Sequence, residues 1–167
     1  MTGPVHVSAE VIGSRRAGAY RLLTVVAPGV AERFRPGTFL AVSVGESLLA
    51  RRALWIHGVK PSGSYGATLD LAVAPVGTGT RWLAGLPVGS RVEVTGPLGR
   101  PFALPREQAR CLLVGHGYSA APLFPLAERL RERGCPVTFV IGADDEAHLL
   151  NALEARRSAR GNSGAAL

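Results

Sequence analysis

The chain has 167 residues, 47% hydrophobic and 19% charged, which fits one ordinary domain or two small ones and excludes a disordered chain. No apolar run approaches the roughly 20 residues of a membrane span, and MTGPVHVSAE lacks a basic segment followed by an apolar core, so no signal peptide is expected and the chain reads as cytoplasmic. The formal net charge is +7, but the arginines come in pairs spread along the chain (Arg15-Arg16, Arg51-Arg52, Arg156-Arg157), the pattern of a solvated surface rather than of a nucleic-acid binder.

The first hundred residues read as short strands separated by turn signals, which predicts a small antiparallel barrel or sandwich. Residues 5–11 alternate until Gly13-Ser14. Residues 20–26 form a β-rich run ended by Ala27-Pro28-Gly29. Pro36-Gly37 introduces residues 38–44, and residues 54–59 follow the second arginine pair. Residues 61–66 are a Gly/Ser turn region, and residues 68–73 alternate cleanly.

The stretch VGTGTRWLAGLPVGSRVEVTGPLGRPF, residues 76–102, organises the rest. Gly77 and Gly79 are read as opening backbone conformations closed to other residues. Thr80 heads a short helix over 81–84, whose free N–H groups suit a phosphate. Residues 91–95 alternate as a half-buried strand, and Gly96-Pro97-Leu98-Gly99 is turn chemistry.

The character changes at a linker over 104–108. Residues 111–114 are a continuous apolar run, as in a strand buried on both faces. A glycine loop, Gly115-His116-Gly117-Tyr118-Ser119, leads into a helix over 121–133, with Pro122 in its first turn and Gly134 at its C-terminus. Residues 137–141 are a second buried strand. Asp144 or Asp145 caps a second helix reaching Arg156, and residues 158–167 read as a frayed tail. Strand, helix, strand, helix implies a parallel α/β unit. Cys111 and Cys135 read as buried reduced thiols, too few for a cluster. His6, His57 and His148 have no second ligand nearby in sequence, so no metal site is expected.

Several of these motifs, in this order, resemble the electron-transfer subunit family of dihydroorotate dehydrogenase, within the ferredoxin-reductase superfamily. The similarity covers nearly everything up to about Arg157. It implies a Greek-key FAD-binding barrel over 1–104, followed by a shortened parallel NAD-binding α/β domain over 109–157. RRALWI sits where the family holds its flavin, which implies roles for Arg52, Ala53, Leu54 and Trp55. LAVAPVGTGT matches the next FAD segment, which implies Ala72, Val73 and Ala74, with Gly79 and Thr80 at the FAD pyrophosphate. LLVGHGYSAAPL resembles the loop opening the pyridine-nucleotide domain, which implies Gly115, Gly117 and Tyr118.

The chain departs from the family pattern at specific positions. Trp55 replaces a small hydroxyl residue and Leu54 an aromatic, while His116 and Ser119 stand at family glycines. The cysteine-rich [2Fe–2S] tail is not present in this sequence, so no cluster is expected. The implied function is electron transfer between NAD(H) and an FMN-bearing dihydroorotate dehydrogenase catalytic subunit, in pyrimidine biosynthesis, as a hetero- or homo-oligomer. The alternative is a non-catalytic degenerate paralogue that serves as an interaction or assembly module.

Overall fold

The computed structural model describes residues 3–45, 50–60 and 64–150. Six strands close into an antiparallel barrel: β1 (Val5–Ala17), β2 (Tyr20–Val26), β3 (Phe39–Val42), β4 (Arg52–Lys60), β5 (Thr68–Val73) and β6 (Arg91–Leu98). Around the barrel the order is β1-β2-β5-β4-β3-β6, a Greek-key arrangement. The helix α1 (Thr78–Ala84) bridges β5 and β6. Then come β7 (Cys111–His116), a 3-10 turn (Gly117–Ala120), α2 (Leu123–Glu132), β8 (Val137–Gly142) and a last 3-10 turn (Glu146–His148). β7 and β8 pair in parallel, with Leu113 opposite Phe139. The barrel-then-α/β architecture is the one expected.

The barrel interior is filled by inward-facing apolar residues, among them Val11, Leu23, Leu40, Leu54, Ile56, Leu69, Leu71 and Val94. Period-two alternation puts these side chains on one face of each strand. The first strand runs past Gly13 instead of stopping there. A register shift between Val11 and Gly13 absorbs the break as a bulge, and pairing with β2 continues to Ala17.

β5 differs from the half-wet strand its alternation predicts. Thr68, Leu69, Leu71, Ala72 and Val73 are all buried, because the α/β unit covers the outer face. Leu22, Ala72, Ala120, Ala121, Phe124 and Leu150 form the buried layer between barrel and α/β unit. The reverse correction applies to β7. It is buried on one face only, with Leu112 65% and Val114 66% exposed, since α2 packs on just one side of the two-stranded sheet.

Helix boundaries also move. α2 begins at Leu123, with Pro122 just before its first turn, and Gly134 takes φ +76° beyond its end. Asp145 caps only a single 3-10 turn, its carboxylate accepting from His148 N–H at 3.0 Å. The rest of the helix expected to Arg156, and the frayed tail, lie outside the described residues.

Leu71 is 1% exposed at the centre of the barrel. Leu71→Ala removes packed methyl groups and leaves a cavity, so stability falls by about 2–5 kcal/mol. Urea unfolding followed by far-UV circular dichroism checks this.

Candidate functional site

The arginine pair ahead of β4 splits. Arg51 donates to the Thr95 hydroxyl on β6. Arg52, at the start of β4, lies against α1: a Cβ built on Gly79 would stand 3.1 Å from Arg52 Nε and 3.3 Å from Nη2. It would also meet Val44 Cγ2 at 3.1 Å. The structure therefore brings together two segments that are 27 positions apart in sequence, Arg52 and Gly79. Val44 completes this corner, and no sequence signal marked it.

The geometry corrects the reading of the glycines. Gly77 is extended, at φ −128° and ψ 173°, and Gly79 sits inside α1, so neither needs a left-handed backbone. Gly79 lets Arg52 and Val44 pack close: with a Cβ there, both would have to give by a few tenths of an ångström.

Helix α1 starts at Thr78, three residues earlier than expected, with Gly77 as its N-cap and Thr80 in its third position. The Thr80 hydroxyl accepts from Gly77 N–H at 3.0 Å and donates to Gly77 C=O at 3.1 Å. A hydroxyl has one proton, so Thr80 closes the turn and has none left for a ligand. The first intrahelical bond is Arg81 N–H to Gly77 C=O at 2.8 Å. The N–H groups of Thr78, Gly79 and Thr80 precede it and have no helical acceptor. Together with the Arg52 guanidinium they form a corner of donors and positive charge suited to a phosphate.

The other residues of the two FAD-like segments diverge in direction. Leu54 is inside the barrel core, 2% exposed. Ala53 is exposed on the opposite face. Trp55 is half-buried and meets Phe39 edge-on, with ring centroids 6.0 Å apart and an 82° interplanar angle. Val73 is packed in the core, and the Ala74 carbonyl accepts from Val76 N–H at 2.9 Å.

Tyr118 crosses from the glycine loop to the barrel. Its hydroxyl donates to Ala72 C=O at 2.9 Å and accepts from Trp55 N–H at 3.4 Å. The β4–β5 ladder pairs Ile56 with Leu71, and the phenol spans the two strands just beyond that pair. Burial raises the Tyr118 pKa. Gly115 is needed for close packing, because a Cβ would stand 2.8 Å from Ala120 Cβ. Gly117 takes φ +49°. Ser119 replaces a family glycine without filling the loop: its hydroxyl accepts from His116 N–H at 3.2 Å and donates to His116 C=O at 2.7 Å.

His57 is buried with Nδ1 3.3 Å from Ala121 C=O, and its ring is 4.5 Å from that of Phe124, so it joins barrel to helix. Among the described residues no group of three or more His, Cys, Asp or Glu could hold a metal ion, and no helix is long and apolar enough to cross a membrane. Cys135 is buried; Cys111 is only partly so.

No protein-family model matches the chain. In sequence it is a relative of curated electron transfer subunits of dihydroorotate dehydrogenase B (NAD(+)). It is 39% identical over 127 residues to that of Desulforamulus reducens, covering 74% of this chain and 47% of the relative. It is 40% identical over 119 residues to that of Shouchella clausii, covering 68% and 44%. The chain thus spans about half the length of the curated relatives it matches. Among solved structures, an NADH-dependent reduced ferredoxin-NADP oxidoreductase superposes with a TM-score of 0.77 at 28% identity, covering 89% of this chain and 53% of that one.

Two predictions follow from the geometry. Tyr118→Phe leaves Ala72 C=O and Trp55 N–H without their partner, so it lowers stability by about 1–3 kcal/mol, read from denaturant midpoints. Asp145 lies below the usual carboxylate range because the His148 side chain and then its main-chain N–H bond to it. A lowered folded pKa gives stability that is present above the unfolded value and lost as pH falls through the folded one. Asp145→Asn therefore flattens the acid side of the stability–pH curve below about pH 4, the unfolded carboxylate value, and thermal melts across that range check it.

Proposed function

We propose that this chain is the FAD-binding portion of an electron-transfer component of the dihydroorotate dehydrogenase type. It passes electrons between NAD(H) and a partner flavoenzyme, an FMN-containing dihydroorotate dehydrogenase catalytic subunit. Residues 1–104 are the FAD-binding barrel and 109–157 part of an NAD-binding domain. The observation that carries this reading is the contact of the Arg52 guanidinium with Gly79 at the start of α1.

That corner fits the phosphate end of FAD. It pairs a permanent cation with helix N–H groups, and the missing Cβ of Gly79 lets the Arg52 guanidinium lie close against the helix start. Arg52 binds and orients the pyrophosphate, assisted by the Thr78, Gly79 and Thr80 N–H groups, while the Thr80 hydroxyl holds the turn in shape. Trp55 on β4 and Ala74 after β5 border the flavin end, with Leu54 and Val73 supporting them from inside the barrel, while Ala72 is fully buried under the α/β unit and supports them through its bond to Tyr118. Bound flavin would supply a centre that takes a hydride and releases single electrons. Gly115, Gly117 and Tyr118 form the nucleotide loop at the carboxyl end of β7, where open parallel sheets take ligands. The non-catalytic module is not favoured: the relatives are electron transfer subunits, and the Arg52 guanidinium beside Gly79 supports the flavin reading.

Purified chain incubated with FAD and desalted retains flavin absorbance in this reading. Arg52→Ala removes charge-assisted bonds of about 1.5–3 kcal/mol, so FAD affinity drops roughly 10- to 150-fold in a fluorescence titration. A colourless protein that takes up no added FAD would sink the proposal.

A further inference from the structure

A second basic feature lies on the far side of α1. A cleft of about 390 Å³ opens between the β1–β2 hairpin, the segment after β5 and the later turn of α1. Arg16, Arg21 and Arg81 line it, with Tyr20, Pro75 and Ala84. Arg81 follows Gly79 by two helical positions, about 200° around the axis, so it faces away from Arg52.

Each of the three guanidiniums is fixed by one main-chain carbonyl. Arg16 Nε donates to Gly18 C=O at 2.9 Å, Arg21 Nε to Ala84 C=O at 3.1 Å and Arg81 Nη2 to Val76 C=O at 3.1 Å. A guanidinium has five N–H donors, so most of their donors remain for a ligand. No carboxylate is among the described residues lining the cleft. Asp144 and Asp145 lie outside that lining but reach Tyr20 electrostatically, so they oppose part of the cleft's positive charge from one side. Three like charges in one cleft repel one another until an anion enters, and planar forks match phosphate oxygens two at a time.

We propose that the Arg16–Arg21–Arg81 cleft binds a phosphate- or pyrophosphate-bearing anion, at a site separate from the Arg52–Gly79 corner. The proposal does not depend on flavin binding. Three cations held on separate elements suit a multiply charged group better than a single carboxylate.

The test is calorimetric titration of the full chain, saturated with FAD or without it, using phosphate, pyrophosphate and ADP at constant ionic strength. With FAD occupying the Arg52–Gly79 corner, pyrophosphate binds with unit stoichiometry and more tightly than phosphate; without FAD that corner is open to it too, and the cleft component persists in Arg52→Ala. Arg16→Ala and Arg81→Ala each weaken it at least tenfold, while Arg100→Ala, which removes the same charge from an exposed turn, leaves it unchanged. Both cleft arginines are exposed and fixed only by carbonyl bonds, so the variants fold. ADP binding tighter than pyrophosphate assigns the anion to a nucleotide; equal binding assigns it to the phosphates alone. Absence of binding overturns the proposal. So does equal weakening by Arg100→Ala, or binding lost in Arg52→Ala but kept in the Arg16 and Arg81 variants. The last result would place the anion in the flavin corner instead.

Discussion

The outer face of β5 is held against the α/β unit, and this one contact organises both halves of the molecule. Ala72 is fully buried there because it sits between the barrel and the residues around Ala120, Ala121 and Phe124. A small residue lets the layers approach; the Tyr118 hydroxyl then satisfies the Ala72 carbonyl that this approach removes from water. His57 does the same from β4, its ring on Phe124 and Nδ1 at the Ala121 carbonyl. Polar groups are therefore paired at the same seam that supplies the apolar contact, which fixes the orientation of the glycine loop relative to the barrel.

The Arg52–Gly79 corner follows from the barrel's connectivity. β4 and α1 meet only because β5, which precedes α1, pairs antiparallel with β4. The side chain missing at Gly79 is filled by a guanidinium, so charge is held at a helix start with little room to swing away. α1 is short, and its dipole alone would be a weak attraction. The cation beside it makes the corner distinctive.

Much of this was legible in the sequence. β2 and β5 begin and end where their β-rich runs do, because Ala27-Pro28-Gly29 and the turn after Val73 interrupt them sharply. The Arg52, Gly79 and Tyr118 positions were visible through motif resemblance. Burial imposed by a second layer was not: alternation in β5 reports one buried face, and only tertiary packing reveals the other. The continuous apolar run in β7 misled in the opposite sense, since it shows that a residue is apolar but not what covers it. Thr80 was placed at the FAD pyrophosphate by motif resemblance, which does not report what its hydroxyl bonds to. The capping box that consumes its proton depends on where the helix begins, and boundaries are what local pattern specifies least well.

The closed cap at Gly77 and Thr80 has a kinetic corollary. Both bonds are internal to the turn and need no guest to form. The backbone is therefore rigid before any encounter, and its loss of entropy belongs to folding, not to association. A solute arriving at α1 meets a finished surface. Capture there should be limited by diffusion and charge steering, with no slow rearrangement step after first contact.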